Sequence, residues 1–180
     1  MKKIVKSLLV AVCLIPALAI GQSAFNALET SEKIGTVTIN KGMLGIVASM
    51  SADDNNKEAQ EFVELAKSIE EIKVFVSEDA NASKKMKSTA KGYIKSSKME
   101  SLMKVKDDDS QVDFYVMEGK DSDHVSEMVM LVTGMEKKTD GANFETVLVT
   151  MTGDIDLTKI GSLVNKMNLP KDLEKAEKKK

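Results

Sequence analysis

Two segments in the C-terminal half of the chain are apolar at consecutive positions, and they constrain the fold more than any other part of the sequence. They are Met128-Val129-Met130-Leu131-Val132 and Thr146-Val147-Leu148-Val149. Neighbouring side chains in a strand point to opposite faces of a sheet, so a strand with one solvated face alternates between apolar and polar residues. Because these segments do not alternate, we expect both of their faces to be covered. Either helices cover both faces, or a partner covers one of them.

Predicted turns divide the rest of the C-terminal half into strands that would pair as hairpins. Three polar turns are predicted, at residues 107–110, 118–124 and 134–143. The third contains Asp140-Gly141, a pair that is typical of a hairpin turn. These turns separate four predicted strands. Three of them run from Met99 to Val105, from Met128 to Thr133 and from Phe144 to Met151. The remaining one, second in sequence, has Val112, Phe114 and Val116 on the face that points into the core. Consecutive strands joined by turns favour an antiparallel sheet.

The N-terminal half mixes strand spacing with helical spacing. Apolar residues recur at helical intervals in two long segments, and a shorter apolar segment with two glycines predicts a third helix. The predictions are the strand Gly35 to Asn40, the helix Gly42 to Val47, the helix Lys57 to Glu71, the strand Ile72 to Val76 and a helix that buries Met86, Ala90 and Ile94. The polar segments Ser51 to Asn56 and Ser77 to Ser83 separate them.

The C-terminal end is predicted to leave the sheet at Gly153-Asp154-Ile155-Asp156-Leu157. Asp156 is placed to cap a helix that buries Ile160, Leu163, Val164 and Met167, which would contribute about 1 kcal/mol. Residues 171–180 read as a charged flexible tail. The expected fold is α+β, a mainly antiparallel sheet of about five to six strands with helices packed on it and a C-terminal helix.

The first 21 residues have the pattern of an export signal. Lys2, Lys3 and Lys6 precede an apolar run from Ile4 to Ala19, and small residues at Ala19 and Gly21 fit cleavage after Gly21. Lys6 and Pro16 interrupt the run, which argues against a membrane anchor. A lipoprotein signal acylated at Cys13 is disfavoured, because Val12 stands where that processing needs a small residue. We therefore expect residues 22–170 to form one domain in the periplasm or cell envelope.

Composition removes several classes of function from the expected mature chain. Cys13 is the single cysteine, so its loss with the signal removes thiol and disulfide chemistry. The mature formal charge is 23 − 28 = −5, since three of the 26 basic residues and none of the 28 acidic ones lie in the signal. This charge argues against nucleic acid as a partner. The lack of tryptophan argues against sites that stack sugars or bases. The lack of arginine argues against sites that bind phosphate with two hydrogen bonds from one side chain.

Several local strings resemble the DUF4252 family, which comprises uncharacterised exported proteins of bacteria with two membranes. They are Val37-Thr38-Ile39-Asn40-Lys41-Gly42-Met43-Leu44, the strand Ile72 to Val76 and Thr152-Gly153-Asp154-Ile155-Asp156-Leu157 after a hydrophobic strand. The resemblance spans nearly the whole mature chain. It implies an α+β domain, a location in the cell envelope and, in some relatives, an association with extracytoplasmic sigma factors. It supplies no catalytic residues.

The sequence has few groups of residues that could form a catalytic or metal-binding site. Asp121, Asp123 and His124 share a predicted turn, but a closed zinc site needs four ligands and favours cysteine and histidine, so we interpret the turn as an exposed polar one. Asp154 and Asp156 are spaced by two, and capping is a simpler role for them than a catalytic dyad. No nucleophile elbow or phosphate-binding loop is evident. We predict no catalytic, metal-binding or cofactor-binding residues and no cofactor.

Methionines Met128, Met130, Met135 and Met151 cluster in the predicted sheet, where core packing is the favoured role and an exposed docking patch the alternative. The expected function is a non-enzymatic binding domain of the envelope. Its partner would be an envelope protein, a peptide or a lipid, and a homodimer through one face of the sheet is a further option. The alternatives are an accessory of an envelope-stress system and a small hydrolase or lipid-handling protein.

Overall fold

The computed structural model describes residues 20–51, 56–106, 110–134 and 144–159. Several predictions lie outside this part of the chain, namely the export signal up to residue 19, most of the first and third turns, Met135, the buried stripe of the C-terminal helix and the charged tail. The first helix in the described ranges spans Ile20–Glu29, so the expected cleavage point after Gly21 lies within those residues.

The described chain forms an α+β domain, as predicted. Its helices are α1 (Ile20–Glu29), α2 (Lys41–Ser51), α3 (Lys57–Ser68) and α4 (Ala80–Ser96). Its strands are β1 (Gly35–Asn40), β2 (Ile69–Ser77), β3 (Glu100–Lys106), β4 (Gln111–Glu118), β5 (His124–Thr133) and β6 (Thr146–Asp156). A 3-10 turn, Leu157–Lys159, follows β6.

All neighbouring strands of the sheet run antiparallel, in the order β1-β2-β6-β5-β4-β3. The last strand in sequence therefore lies in the interior of the sheet, between β2 and β5. Strands β3 to β6 are neighbours in sequence order, which confirms the series of four strands that the turn pattern predicts. The edges of the sheet are β1 on one side and β3 on the other.

Helices cover both faces of this sheet, which selects the first of the two alternatives for the doubly apolar strands. Along β5, Met128 contacts one core cluster whereas Val129 and Leu131 contact the other. The first cluster joins the sheet to α2 and α3 through Leu44, Ala48, Phe62, Leu65 and Ala66. The second joins it to α1 and α4 through Phe25, Leu28, Ala82, Met86, Ala90 and Tyr93. We call these sides the first face and the second face.

The predicted end of α3 at Glu71 is wrong, since the helix ends at Ser68 and β2 begins at Ile69. Ile69 and Ile72 are both buried in the first cluster, a spacing of three that is typical of a helix. In the structure, β2 has an extra residue between Ile69 and Glu71 relative to β6. A β-bulge of this kind puts two residues spaced by three on the same face of a sheet.

The predicted exit from the sheet at Gly153 is also wrong, because β6 continues to Asp156. Opposite β5, the residues between Thr152 and Ile155 form another bulge, after which Ile155 returns to the first cluster. Glycine in a strand marks either an end or a bulge, and here it marks a bulge. Of the predicted C-terminal helix, the described residues contain only the 3-10 turn. Asp156 accepts a hydrogen bond from the backbone N–H of Thr158 at 2.9 Å, which is the capping role predicted for it.

Candidate interaction surface

Helix α2 exposes a stripe of large apolar side chains. Asn40 caps the helix by accepting a hydrogen bond from the backbone N–H of Met43 at 3.1 Å. The helix then buries Leu44 and Ala48 in the first cluster and leaves its other side in solvent. The exposed side chains are Met43, Ile46, Val47 and Met50, with exposed fractions of 54%, 59%, 39% and 83%. We call these four residues the α2 stripe. Their spacing of three and four residues places them on one side of a helix.

The edge strand β1 lies beside this helix and carries no charge within Gly35–Asn40. Val37 pairs with Val74 and Ile39 with Ile72, and Ile72 belongs to the first cluster. Directly paired residues share a face, so Val37 and Ile39 lie on the same face as α2. Val37 is 56% exposed. The α2 stripe and Val37 together form an apolar surface at the β1 end of the sheet.

The other edge strand, β3, is built differently. It carries Glu100, Lys104 and Lys106, and Leu102 is an extra residue between Ser101 and Met103 relative to β4. Charges and bulges are the usual devices that prevent an edge strand from pairing with another chain. β1 has neither a charge nor a bulge against its neighbour β2.

A polar groove lies where three neighbouring strands shift register. The bulged residues are Glu70 in β2, Ser126 in β5 and the pair Gly153 and Asp154 in β6. The groove has a volume of about 630 Å³ and is open to solvent. It is lined by Lys41, Lys67, Ser68, Glu70, Glu118, Gly119, Lys120, Ser126, Gly153 and Asp154. We call it the bulge groove.

Ion pairs occupy much of this groove. Lys41 contacts Glu70 and Lys120 contacts Asp154, each with a nitrogen-to-oxygen distance of 2.6 Å. The hydrogen bond from Lys120 to Asp154 raises the pKa of the lysine. Lys67 and Glu118 add one further charge of each sign. The lining is therefore balanced in charge and favours neither an anion nor a cation.

Gly153 is required by the backbone of the groove. Its φ angle is +147°, and a Cβ atom at this position would lie 2.4 Å from the carbonyl oxygen of Ser68. Both conditions exclude an ordinary side chain. The strand therefore passes closely over the end of α3, and the glycine that sequence analysis took as a strand end is a packing residue.

Hydrogen bonds between its own residues hold the predicted turn before β5 in place. The Nδ1 atom of His124 lies 2.7 Å from Oδ1 of Asp121, and the same oxygen accepts a hydrogen bond from the backbone N–H of Asp123 at 3.1 Å. The hydrogen bond with His124 lowers the pKa of Asp121. Across the described ranges, no three His, Cys, Asp or Glu side chains are grouped closely enough to hold a metal ion.

Asp154 and Asp156 are engaged with different partners. Asp154 pairs with Lys120 in the bulge groove, whereas Asp156 accepts hydrogen bonds from Thr158 and lies 3.6 Å from the ammonium of Lys159. The hydroxyl of Thr158 is the main cause that lowers the pKa of Asp156. Lys159 also contacts Glu64 on α3 at 2.6 Å and thereby ties the 3-10 turn to that helix.

The methionines of the sheet belong to the core. Met128 and Met151 are buried in the first cluster, and Met130 packs against it. In the described ranges, the exposed methionines are instead Met43 and Met50 on α2, which sequence analysis did not mark as exposed. One feature of the sequence indicated this exposure. A helix that is apolar on nearly every side has more apolar surface than contact with one sheet can bury.

A buried pair of titratable groups lies under α4. The hydroxyl of Tyr93 donates a hydrogen bond of 2.5 Å to Oε2 of Glu127, and both residues are buried. Burial raises the pKa of Glu127, and burial together with the hydrogen bond to Glu127 raises the pKa of Tyr93 to about 12. The ring of Phe25 stacks edge-on against Tyr93, with centroids 4.9 Å apart. The pair lies in the helix–sheet interface, away from the bulge groove.

Within the described part of the chain, no helix has both the length and the hydropathy that a membrane crossing requires. The chain matches no curated protein and no solved structure. Residues 28–163 match a family model described as a domain of unknown function, DUF4252. The matched segment includes β1, α2 and all the bulged strands. Since it covers most of the sequence, the chain belongs to the DUF4252 family.

Proposed function

We propose that the mature chain is a non-enzymatic interaction domain of the cell envelope, and that it binds a protein through the α2 stripe. The observation that carries this proposal is the exposure of four large apolar side chains in a single row on one helix. Rows with this spacing are the anchors by which helices dock into apolar grooves of other proteins. Methionine at two of the four positions suits an adaptable contact surface.

The charge of α2 favours a protein over a lipid surface. Helices that lie on membranes carry several lysines or arginines on their polar side, which attract anionic lipids. Helix α2 has one, Lys41, at its first position, and its ammonium is paired with Glu70. The stripe therefore offers apolar contact without the basic flank that membrane attachment needs.

The N-terminal sequence supports the envelope location. Three lysines, an apolar run to Ala19 and the small residues Ala19 and Gly21 are the features of a cleavable export signal. The expected loss of Cys13 leaves a mature chain without cysteine, which an oxidising compartment cannot cross-link.

The chemistry of the bulge groove supports a non-enzymatic role. Its acidic and basic groups form exposed ion pairs, and His124 is held by Asp121 in a turn that does not line the groove. A catalytic site usually combines a sheltered cavity with groups whose protonation is poised for proton transfer. This open and charge-balanced groove offers neither.

Photo-cross-linking in the native cells tests the proposal. A photoreactive amino acid replaces Ile46 in one variant and, as a matched control, Leu102 in another, because Leu102 is an exposed apolar residue on the opposite edge strand. We expect a protein adduct in the extracytoplasmic fraction from position 46 and not from position 102. An adduct to lipid alone, equal adducts from both positions, no adduct, or a full-length precursor in the cytosol would each overturn the proposal.

A further inference from the structure

We propose that the protein bound by this surface is a second copy of the chain, with the β1 strands of the two copies paired antiparallel across a two-fold axis. This proposal rests on the proposed function and names its partner. Two sheets would then join edge to edge. The two α2 helices would lie on the same face of the continuous sheet, because a two-fold axis perpendicular to a sheet preserves its faces.

The contrast between the two edges supports pairing at β1. β3 carries three charged side chains and a bulge, whereas β1 is uncharged, unbulged against β2 and rich in β-branched residues, Thr36-Val37-Thr38-Ile39. An edge without such protection presents its backbone donors and acceptors as a template for another strand. The chain therefore protects one edge of its sheet and leaves the other ready to pair.

The alternation of side chains restricts the register of this pairing. Residues directly opposite each other must lie on the same face, so the two-fold axis must pass beside a residue and not between two residues. Axes beside Val37 and beside Thr38 are equally central in Gly35–Asn40, and we choose Val37 because it lies on the same face as the α2 stripe. This axis places Val37 opposite Val37 of the second copy and Thr36 opposite Thr38 of the second copy. Both are favourable cross-strand pairs, and no charged residue opposes its own copy.

The α2 stripe completes the interface. A stable dimer buries about 800 Å² on each partner, which a six-residue edge strand does not supply alone. Helix α2 contacts both β1 and β2, so it lies at the edge where the second copy would pair. Val37 and the α2 stripe are on the same face, and the stripes of the two copies would shield each other from water. A self-complementary strand beside an apolar helix favours a second copy over an unrelated partner.

Sedimentation velocity of the full chain, expressed with its own N-terminus and purified from the compartment it reaches, tests the proposal. We expect a dimer. Val37→Lys alone and Val37→Glu alone should each convert it to a monomer, because each places like charges directly opposite each other. A mixture of the two variants should restore the dimer through the opposite-charge pair. Leu102→Lys, at a residue of similar exposure on β3, should leave the dimer unchanged. Circular dichroism checks that every variant is folded.

Each contrary result overturns the proposal. These results are a monomeric wild-type chain, a dimer that survives Val37→Lys, loss of the dimer in Leu102→Lys, and variants that do not recover on mixing. A wild-type dimer that appears only in the presence of lipid vesicles, or only after removal of residues 160–180, would also count against it. The proposed function is tested separately. A monomer in solution together with a cross-link from position 46 to a different envelope protein overturns the self-association alone.

Discussion

At the scale of single residues, buried hydroxyl groups differ in whether they make a hydrogen bond. Ser77 and Thr146 are directly opposite each other on β2 and β6, and both are buried. The hydroxyl of Ser77 donates a hydrogen bond of 2.9 Å to the carbonyl oxygen of Lys33, whereas Oγ1 of Thr146 has no hydrogen-bond partner among the described residues. A satisfied buried hydroxyl stabilises the fold, and an unsatisfied one costs free energy.

This difference predicts opposite effects of removing the two hydroxyls. Thr146→Val should raise the free energy of unfolding by about 1 kcal/mol, because valine has nearly the same shape without the unpaired oxygen. Ser77→Ala should lower it by about 1 kcal/mol through loss of its hydrogen bonds. Urea denaturation followed by circular dichroism measures both changes. Equal destabilisation by the two substitutions would show that Thr146 has a partner.

Glu127 predicts a pH dependence of stability. Its pKa in the folded chain is raised above the ordinary value of 4.5, so the folded state binds the proton more tightly than the unfolded state does. Its contribution to stability is therefore greatest below the unfolded pKa and is lost as the pH rises through the folded pKa. Glu127→Gln keeps an acceptor for Tyr93 and should remove this loss.

The measurement is the free energy of unfolding from about pH 4 to about pH 8 for the wild type and the variant. The wild type should lose stability relative to Glu127→Gln as the pH rises. Glu100→Gln on the exposed edge strand is the matched control for removing a carboxylate outside the core. Parallel curves for Glu127→Gln and the wild type would contradict the prediction.

Single residues also show how far the sequence could predict the site. The core role of Met128 and Met151 followed from their place in doubly apolar strands, and the structure confirms it. Met43 and Met50 were not recognised as exposed, because the two glycines of α2 made it read as a short helix. The residue pattern of α2 indicated more apolar surface than one sheet can bury, but it did not show which side of the helix packs against the sheet.

At the scale of elements, helix α4 begins at a cap that the sequence reading did not name. The carboxylate of Asp79 accepts hydrogen bonds from the backbone N–H groups of Asn81 and Ala82 at 2.9 and 2.8 Å. Asn81-Ala82-Ser83, which fits a glycosylation sequon, lies in the first turn of this helix, and Ser83 is fully buried. These residues therefore serve the entry of the helix.

Substitution of the cap tests its contribution. Asp79→Ala should lower the free energy of unfolding by about 1 kcal/mol, because two backbone donors lose their acceptor. Asp79→Asn should change it by much less, since an asparagine side chain accepts the same hydrogen bonds. Urea denaturation of both variants distinguishes capping from a charge effect. A loss of similar size in the two variants would point to charge.

Bulges explain why some element boundaries could not be predicted. The extra residue at Glu70 gave a strand the spacing of a helix, and Gly153 gave the interior of a strand the composition of a turn. Hydrophobic periodicity assumes regular pairing, and it fails where a neighbouring strand has one residue fewer. Strand β1, which pairs with β2 without such a shift, was predicted with its observed bounds.

At the scale of the whole molecule, two core clusters share one sheet. β2, β5 and β6 contribute side chains to both clusters, so loss of either cluster would expose the strands that anchor the other. We therefore expect one cooperative unfolding transition. Turn and strand signals predicted the α+β class and the antiparallel pairing. They did not reveal the position of β6 between β2 and β5, because strand order depends on contacts far apart in sequence.

Substitutions in each cluster test this cooperativity. Leu65→Ala in the first cluster and Leu148→Ala in the second should each cost about 2–5 kcal/mol. Tyr93 and Tyr115 both report on the second cluster, whereas far-ultraviolet circular dichroism reports on the whole fold. For Leu65→Ala, the two probes should give the same urea midpoint. A tyrosine transition that stays at the wild-type midpoint would mean that the two faces unfold separately.

The position of β6 has a consequence for the order in which the fold can form. β6 pairs along its length with β2 on one side and β5 on the other, yet it is the last of the described strands to leave the ribosome. Until residue 146 has been synthesised, no strand links β2 to β5, and the two parts of the sheet share mainly the contacts of each with helix α4. A nascent chain of this protein therefore lacks its continuous sheet until β6 emerges, and a chain without that sheet can still be threaded through a narrow channel.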